Sequence, residues 1–113
     1  MTGLANEHPH EYPRGSPELS TSEIAELAPH ATEWTVANGK LARTFTFKDF
    51  REAFSFLTSV ALLAEVEGHH PDMFCSWNRV ELWFWTHTVD GLTRNDFIMA
   101  AKIDRIFGPG SDG

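Results

Sequence analysis

The chain has 113 residues, enough for one domain with its own core, and its 42% hydrophobic content, with nine Phe and four Trp, is that of a globular protein. A net charge of −7 argues against a surface built to neutralise nucleic-acid phosphates. The single cysteine, Cys75, excludes an intrachain disulfide framework and a cysteine zinc site; no stretch approaches the roughly 18 apolar residues of a membrane span. The chain does not open on a basic segment followed by an apolar one, so a cytoplasmic, reducing setting is expected.

Residues 1–18 hold Pro9, Pro13, Pro17, Gly3 and Gly15 with little apolar periodicity and read as a flexible N-terminal tail. His8 and His10 lie in it, as solvated residues or, alternatively, as a metal pair. The domain proper spans 19–108. Ser20 and Glu23 make an S-x-x-E capping box that opens a first helix, Leu19 can staple to Ile24, and Pro29 ends the helix early. Trp34–Val36 and Leu41–Phe47 alternate at period two around Asn38-Gly39, a pair suited to a two-residue turn with positive φ.

A long helix is predicted over about Lys48–Glu67, with Phe50, Phe54, Leu57, Ala61 and Ala64 on one stripe and Phe56, Val60 and Leu63 widening it. Gly68 fits the position past its end. A second strand pair is predicted through Phe74–Trp77 and Val80–Thr88. Val80, Leu82, Phe84 and Thr86 then share one face, and Glu81, Trp83, Trp85 and His87 the other. After Asp90-Gly91, Thr93 caps a final helix that Gly108 ends, and 109–113 form a short C-terminal tail. The order α-β-β-α-β-β-α implies an α+β fold, a four-stranded antiparallel sheet with three helices on one face.

This layout brings three histidines together. His69 and His70 leave the end of the long helix, in a loop with Pro71, and His87 sits late on the last strand. Imidazoles give and take protons near neutrality, so such a cluster suits a reaction needing both an acid and a base. Each residue also has a structural reading: His-His-Pro as a plain loop, His87 as a strand histidine, Asp96 as a favourable charge at a helix N-terminus, Glu65 as a surface carboxylate.

The segment Glu65-Val66-Glu67-Gly68-His69-His70-Pro71-Asp72, then Trp77-Asn78, Thr86-His87, Gly91-Leu92 and Asp96, resembles the signature of the pterin-4a-carbinolamine dehydratases in residue type and spacing. Trp34 and the run Phe45-Thr46-Phe47-Lys48-Asp49-Phe50 extend the likeness, which covers roughly Leu19 to Phe107. The resemblance implies dehydration of 4a-hydroxytetrahydrobiopterin to quinonoid dihydrobiopterin in pterin recycling, with no cofactor and no metal, by a homodimer or homotetramer. His69 and His87 would then be the general acid and base, and His70 would hold and polarise the pterin. Glu65, Pro71, Thr86, Thr88 and Asp96 would position these groups or the substrate. Trp34 is a candidate wall for the planar ring, or else hairpin core.

Four positions depart from the family pattern: Gly68 before the histidine pair, Met73 where Trp is common, and Trp83 and Trp85 on the strand face of His87. Two rival functions follow from the same residues. One is a non-catalytic dimerisation or assembly cofactor on the same fold. The other is a hydrolytic metal site built on His69, His87 and a carboxylate, disfavoured because adjacent histidines point apart. Finally, Phe54, Phe56, Leu57, Val60, Leu63 and Ala64 cannot all face one core at about 100° per residue, so the long helix is expected in a subunit contact.

Overall fold

The computed structural model describes residues 3–108; Met1, Thr2 and residues 109–113, the expected C-terminal tail, lie outside the described residues. Helix α1 (Thr21–Leu27) opens on the expected capping box: Ser20 Oγ accepts from the Glu23 amide at 3.1 Å and the Glu23 carboxylate accepts from the Ser20 amide at 2.8 Å. Strands β1 (Thr35–Ala37) and β2 (Lys40–Thr46) flank Asn38 and Gly39, at φ 56° and 73°. A tight hairpin turn matching the twist of its strands needs positive φ at both positions, which Asn and Gly tolerate. Helix α2 (Phe50–Glu67) is capped by Asp49, whose side chain accepts from the Glu52 amide, and ends at Gly68 in the left-handed region.

Strands β3 (Asp72–Ser76) and β4 (Arg79–Phe84) complete an antiparallel sheet of order β1-β2-β4-β3. Strand β4 stops at Phe84 rather than running to Thr88. Its neighbours end there: Leu41 pairs Phe84 at the edge of the β1–β2 turn, and Asp72, just after Pro71, pairs Trp83. Beyond that point the chain closes on itself, with the amides of Val89 and Asp90 donating to the Thr86 carbonyl and an isolated bridge between Thr86 and Gly91. Helix α3 (Arg94–Phe107) follows, capped by Thr93.

The three helices cover one face of the sheet, so the α+β architecture and element order are as the sequence implies. Val80, Leu82 and Phe84 are fully buried against Phe97, Ile103 and Val60. Among the described residues no helix is long and apolar enough to cross a membrane.

The structure refines two readings. Of the apolar residues expected along α2, Ala64 of the stripe and Phe56 and Val60 of its widened flank turn to the core together with Ala53, while Phe50 and Phe54 are 48% and 52% exposed. Both faces are apolar and have helical spacing, so periodicity alone does not choose between them. Within the segment expected as a flexible tail, residues 4–10 contact α3. Leu4 is buried in the core cluster, Lys102 donates to the Ala5 carbonyl at 3.0 Å, and Arg94 grips the Glu7 carboxylate through two nitrogens at 2.7 and 2.8 Å. One apolar anchor and side-chain-to-backbone bonds hold this segment without any periodic pattern.

Candidate active site

The end of α2, the loop after β4 and the first turn of α3 meet at one end of the sheet. Gly68 lets the chain leave α2 sharply, and His69 turns inward against Phe84, the rings 5.9 Å apart and nearly parallel. Its Nε2 lies 2.7 Å from Asp96 Oδ1. Asp96 is fully buried, and its other oxygen accepts from Thr86 Oγ at 3.0 Å and from the Thr93 amide at 2.9 Å. Thr86 and Thr93 hydroxyls are 2.7 Å apart. One residue thus completes the capping box of α3 and fixes an imidazole. A buried carboxylate with both oxygens engaged cannot swing away, and as an acceptor it draws the His69 proton to Nε2 and leaves the lone pair on Nδ1.

His70 points elsewhere. Its Nε2 is 2.6 Å from Glu65 Oε2, one turn back on α2, and both side chains are largely exposed. His87 is exposed and stacks on Trp85 at 4.3 Å; Lys40 Nζ sits 4.1 Å over the same indole. His69, His70, Trp85, Thr86, His87 and Thr88 line one cavity of about 630 Å³, within the range of small-molecule sites. Asp96 stands behind His69, Glu65 beside His70, and Pro71 is buried at the start of β3. Among the described residues, no three His, Cys, Asp or Glu side chains group closely enough to hold one ion.

Trp34, the expected ring wall, and Trp83 do not line the cavity. Trp34 is buried in the core, edge-on to Phe45, and its Nε1 donates to Asp104 at 2.8 Å. The indole follows the inward side of the first hairpin, which faces α3 and not the histidines. Burial raises the Asp104 carboxyl above the usual carboxylate range against the opposing pull of Trp34 and Arg43. Trp83 lies on the open sheet face, bonded through Nε1 to Glu81 at 3.1 Å; only Trp85 of the pair reaches the cavity.

Sequence reasoning missed the cavity's other side. His10, Tyr12 and Arg14 of the N-terminal segment line it, as does Asn95 of α3. Asn95 is buried, and its side chain clamps the backbone of His10 at both the amide (3.1 Å) and the carbonyl (2.6 Å). The weak sequence signal was Tyr12, the one tyrosine of the chain, standing among prolines.

Comparison with known proteins bears on this arrangement. Residues 17–106 match the family model described as pterin 4 alpha carbinolamine dehydratase. The chain is 45% identical over 97 residues to a provisionally named pterin-4-alpha-carbinolamine dehydratase of Chlorobium luteolum, covering 82% of this chain and 85% of that protein. A relative in Chloroflexus aurantiacus, with the same provisional name, is 47% identical over 92 residues, covering 81% of this chain and 99% of the relative. A crystal structure from Brucella melitensis, described as a transcriptional coactivator/pterin dehydratase, superposes with a TM-score of 0.76 at 38% identity, covering 80% of this chain and 99% of that one.

Proposed function

The chain belongs to the pterin 4 alpha carbinolamine dehydratase family, and from that premise we propose that it dehydrates 4a-hydroxytetrahydrobiopterin to quinonoid dihydrobiopterin by histidine acid–base catalysis, serving pterin recycling in the cytoplasm. The observation that carries this reading is the convergence of His69, His70 and His87 on one cavity, with His69 fixed by the buried Asp96.

The reaction loses a proton from N5 and hydroxide from C4a. A neutral imidazole accepts the N5 proton, the N5 electrons form the C4a–N5 double bond, and the C4a–O bond breaks as a protonated imidazole hands its proton to the departing oxygen, giving water. His69 suits the accepting role, because the imidazolium it becomes faces a carboxylate with both oxygens held. His87, on the loop across the cavity, supplies the donated proton. His70, paired with Glu65 at the exposed rim, holds and polarises the pterin. Each proton transfer by a positioned group is worth roughly 10²–10⁴ in rate. Thr86 acts through Asp96, and Thr88 through the N-terminal segment described below. A purely structural assembly role, the competing reading on this fold, leaves the oriented imidazole–carboxylate pair without a use.

Stopped-flow decay of 4a-hydroxytetrahydropterin tests the assignment. The wild type should accelerate it, His69→Ala and His87→Ala should each cost about 10²-fold or more, and the double variant should approach the uncatalysed rate while remaining folded. Near wild-type turnover by the double variant would overturn the assignment.

The outward stripe of α2 supports self-association as a homodimer or homotetramer: Phe54, Leu62 and Val66 are 52%, 64% and 80% exposed. Sedimentation should show an oligomer at micromolar concentration, and a monomer there would contradict this part of the reading.

A further inference from the structure

We infer that the N-terminal arm, residues 7–14, is a built wall of the pterin cavity, with Tyr12 the aromatic surface on which the planar ring stacks. The inference rests on the dehydratase reading for the identity of the ligand, and on the geometry for the wall itself. The arm lies outside the family-matched region, which begins at residue 17.

The arm is held at nearly every second residue. Glu7 is gripped by Arg94 and His8 Nδ1 meets Glu67 at 3.0 Å. His10 is clamped through both backbone groups by Asn95, and the Tyr12 carbonyl accepts from Thr88 Oγ at 2.8 Å. The last two anchors belong to the working parts of the site: Asn95 precedes Asp96 on α3, and Thr88 follows His87 on its loop. The arm is therefore fixed relative to the acid–base groups. Asn95 is 3% exposed, and its amide is satisfied by the arm's backbone, so the arm completes a buried hydrogen-bonding site.

The anchors are backbone groups at His10 and Tyr12, leaving those side chains to the cavity. Their rings lie 4.9 Å apart and 31° from parallel, so His10 packs on one side of Tyr12, and both line the same cavity as His69 and His87. A planar heterocycle needs an aromatic or extended wall. Trp34, the candidate read from sequence, is sealed in the core, and Trp85 already carries two partners on its indole, the His87 ring and the Lys40 ammonium. Tyr12 is half-buried and faces the open volume. A wall preorganised by four anchoring side chains, Arg94, Glu67, Asn95 and Thr88, binds without the ordering cost of a free arm.

The test separates wall from chemistry by titrating 7,8-dihydrobiopterin, a stable planar pterin, into the full-length wild type, Tyr12→Ala, Tyr12→Phe and Thr88→Val, alongside turnover and thermal melting. Tyr12→Ala should weaken binding about tenfold and raise KM by a similar factor. Its kcat should stay within about threefold of wild type and its melting temperature should be unchanged. Tyr12→Phe should bind like wild type, and Thr88→Val, which frees the Tyr12 carbonyl, should show an intermediate loss that decides the matter if Tyr12→Ala proves unstable. Unchanged dihydrobiopterin affinity in both Tyr12→Ala and Thr88→Val, or no binding by the wild type, overturns the wall. Tyr12-dependent binding by a wild type that catalyses no dehydration keeps the wall and removes the dehydratase reading instead.

Discussion

Three imidazole–carboxylate pairs sit within a few residues of one another, and their lengths barely differ. His69–Asp96 spans 2.7 Å, His70–Glu65 2.6 Å and His8–Glu67 3.0 Å. Burial separates them. Asp96 is sealed at 0% exposure with His69 at 12%, Glu67 is 9% exposed against an open His8 at 73%, and Glu65 is 75% exposed. Water screens an exposed pair and lets either partner wander, whereas a buried carboxylate with filled hydrogen-bonding sites fixes its partner. Distance alone would rank the pairs equal; environment makes one an orienting device, one a tether and one a surface contact.

The ranking can be broken by removing each carboxylate in turn and measuring unfolding. Asp96→Ala should cost most, about 3 kcal/mol, since it strands Thr86, the Thr93 amide and His69 without their acceptor. Glu67→Gln should cost about 1 kcal/mol. Burial pushes the Glu67 carboxyl up, but the His8 hydrogen bond and the Lys102 charge outweigh it and hold the group below its usual range. A carboxyl depressed in the folded state stabilises above its unfolded pKa and ceases to as pH falls through the lower folded value. The difference between wild type and Glu67→Gln should thus be full at pH 6 and fade below about pH 4. Glu65→Gln should cost least, under about 0.5 kcal/mol. An equal cost for Asp96→Ala and Glu65→Gln would break the comparison.

The same contrast explains what could be read in the sequence. Local chemistry was legible where a short motif carries its own geometry: the boxes Ser20–Glu23 and Thr93–Asp96, the Asn38-Gly39 turn and the Gly68 stop all form as their residue types dictate. The histidine cluster was legible through spacing and resemblance. Asp96 was visible only as a helix-capping charge or a positioning residue; its pairing with His69 needs the packing of α3 against the end of α2. The face of α2 was ambiguous because both stripes are apolar, and Trp34 because a hairpin aromatic can face either end of the sheet. The docking of the arm left no periodic trace, since its bonds run from Asn95, Thr88 and Lys102 to backbone carbonyls and an amide that any sequence carries.

The most direct test of this account compares kcat/KM for Asp96→Asn and Glu65→Gln in the 4a-hydroxytetrahydropterin assay, both variants being near-isosteric and uncharged. If the buried carboxylate sets the tautomer and aim of His69, Asp96→Asn should lose at least about 10²-fold, and Glu65→Gln should stay within about threefold of wild type. Equal losses in the two variants, or full activity in Asp96→Asn, would contradict the claim that the buried Asp96 sets His69 for its proton transfer.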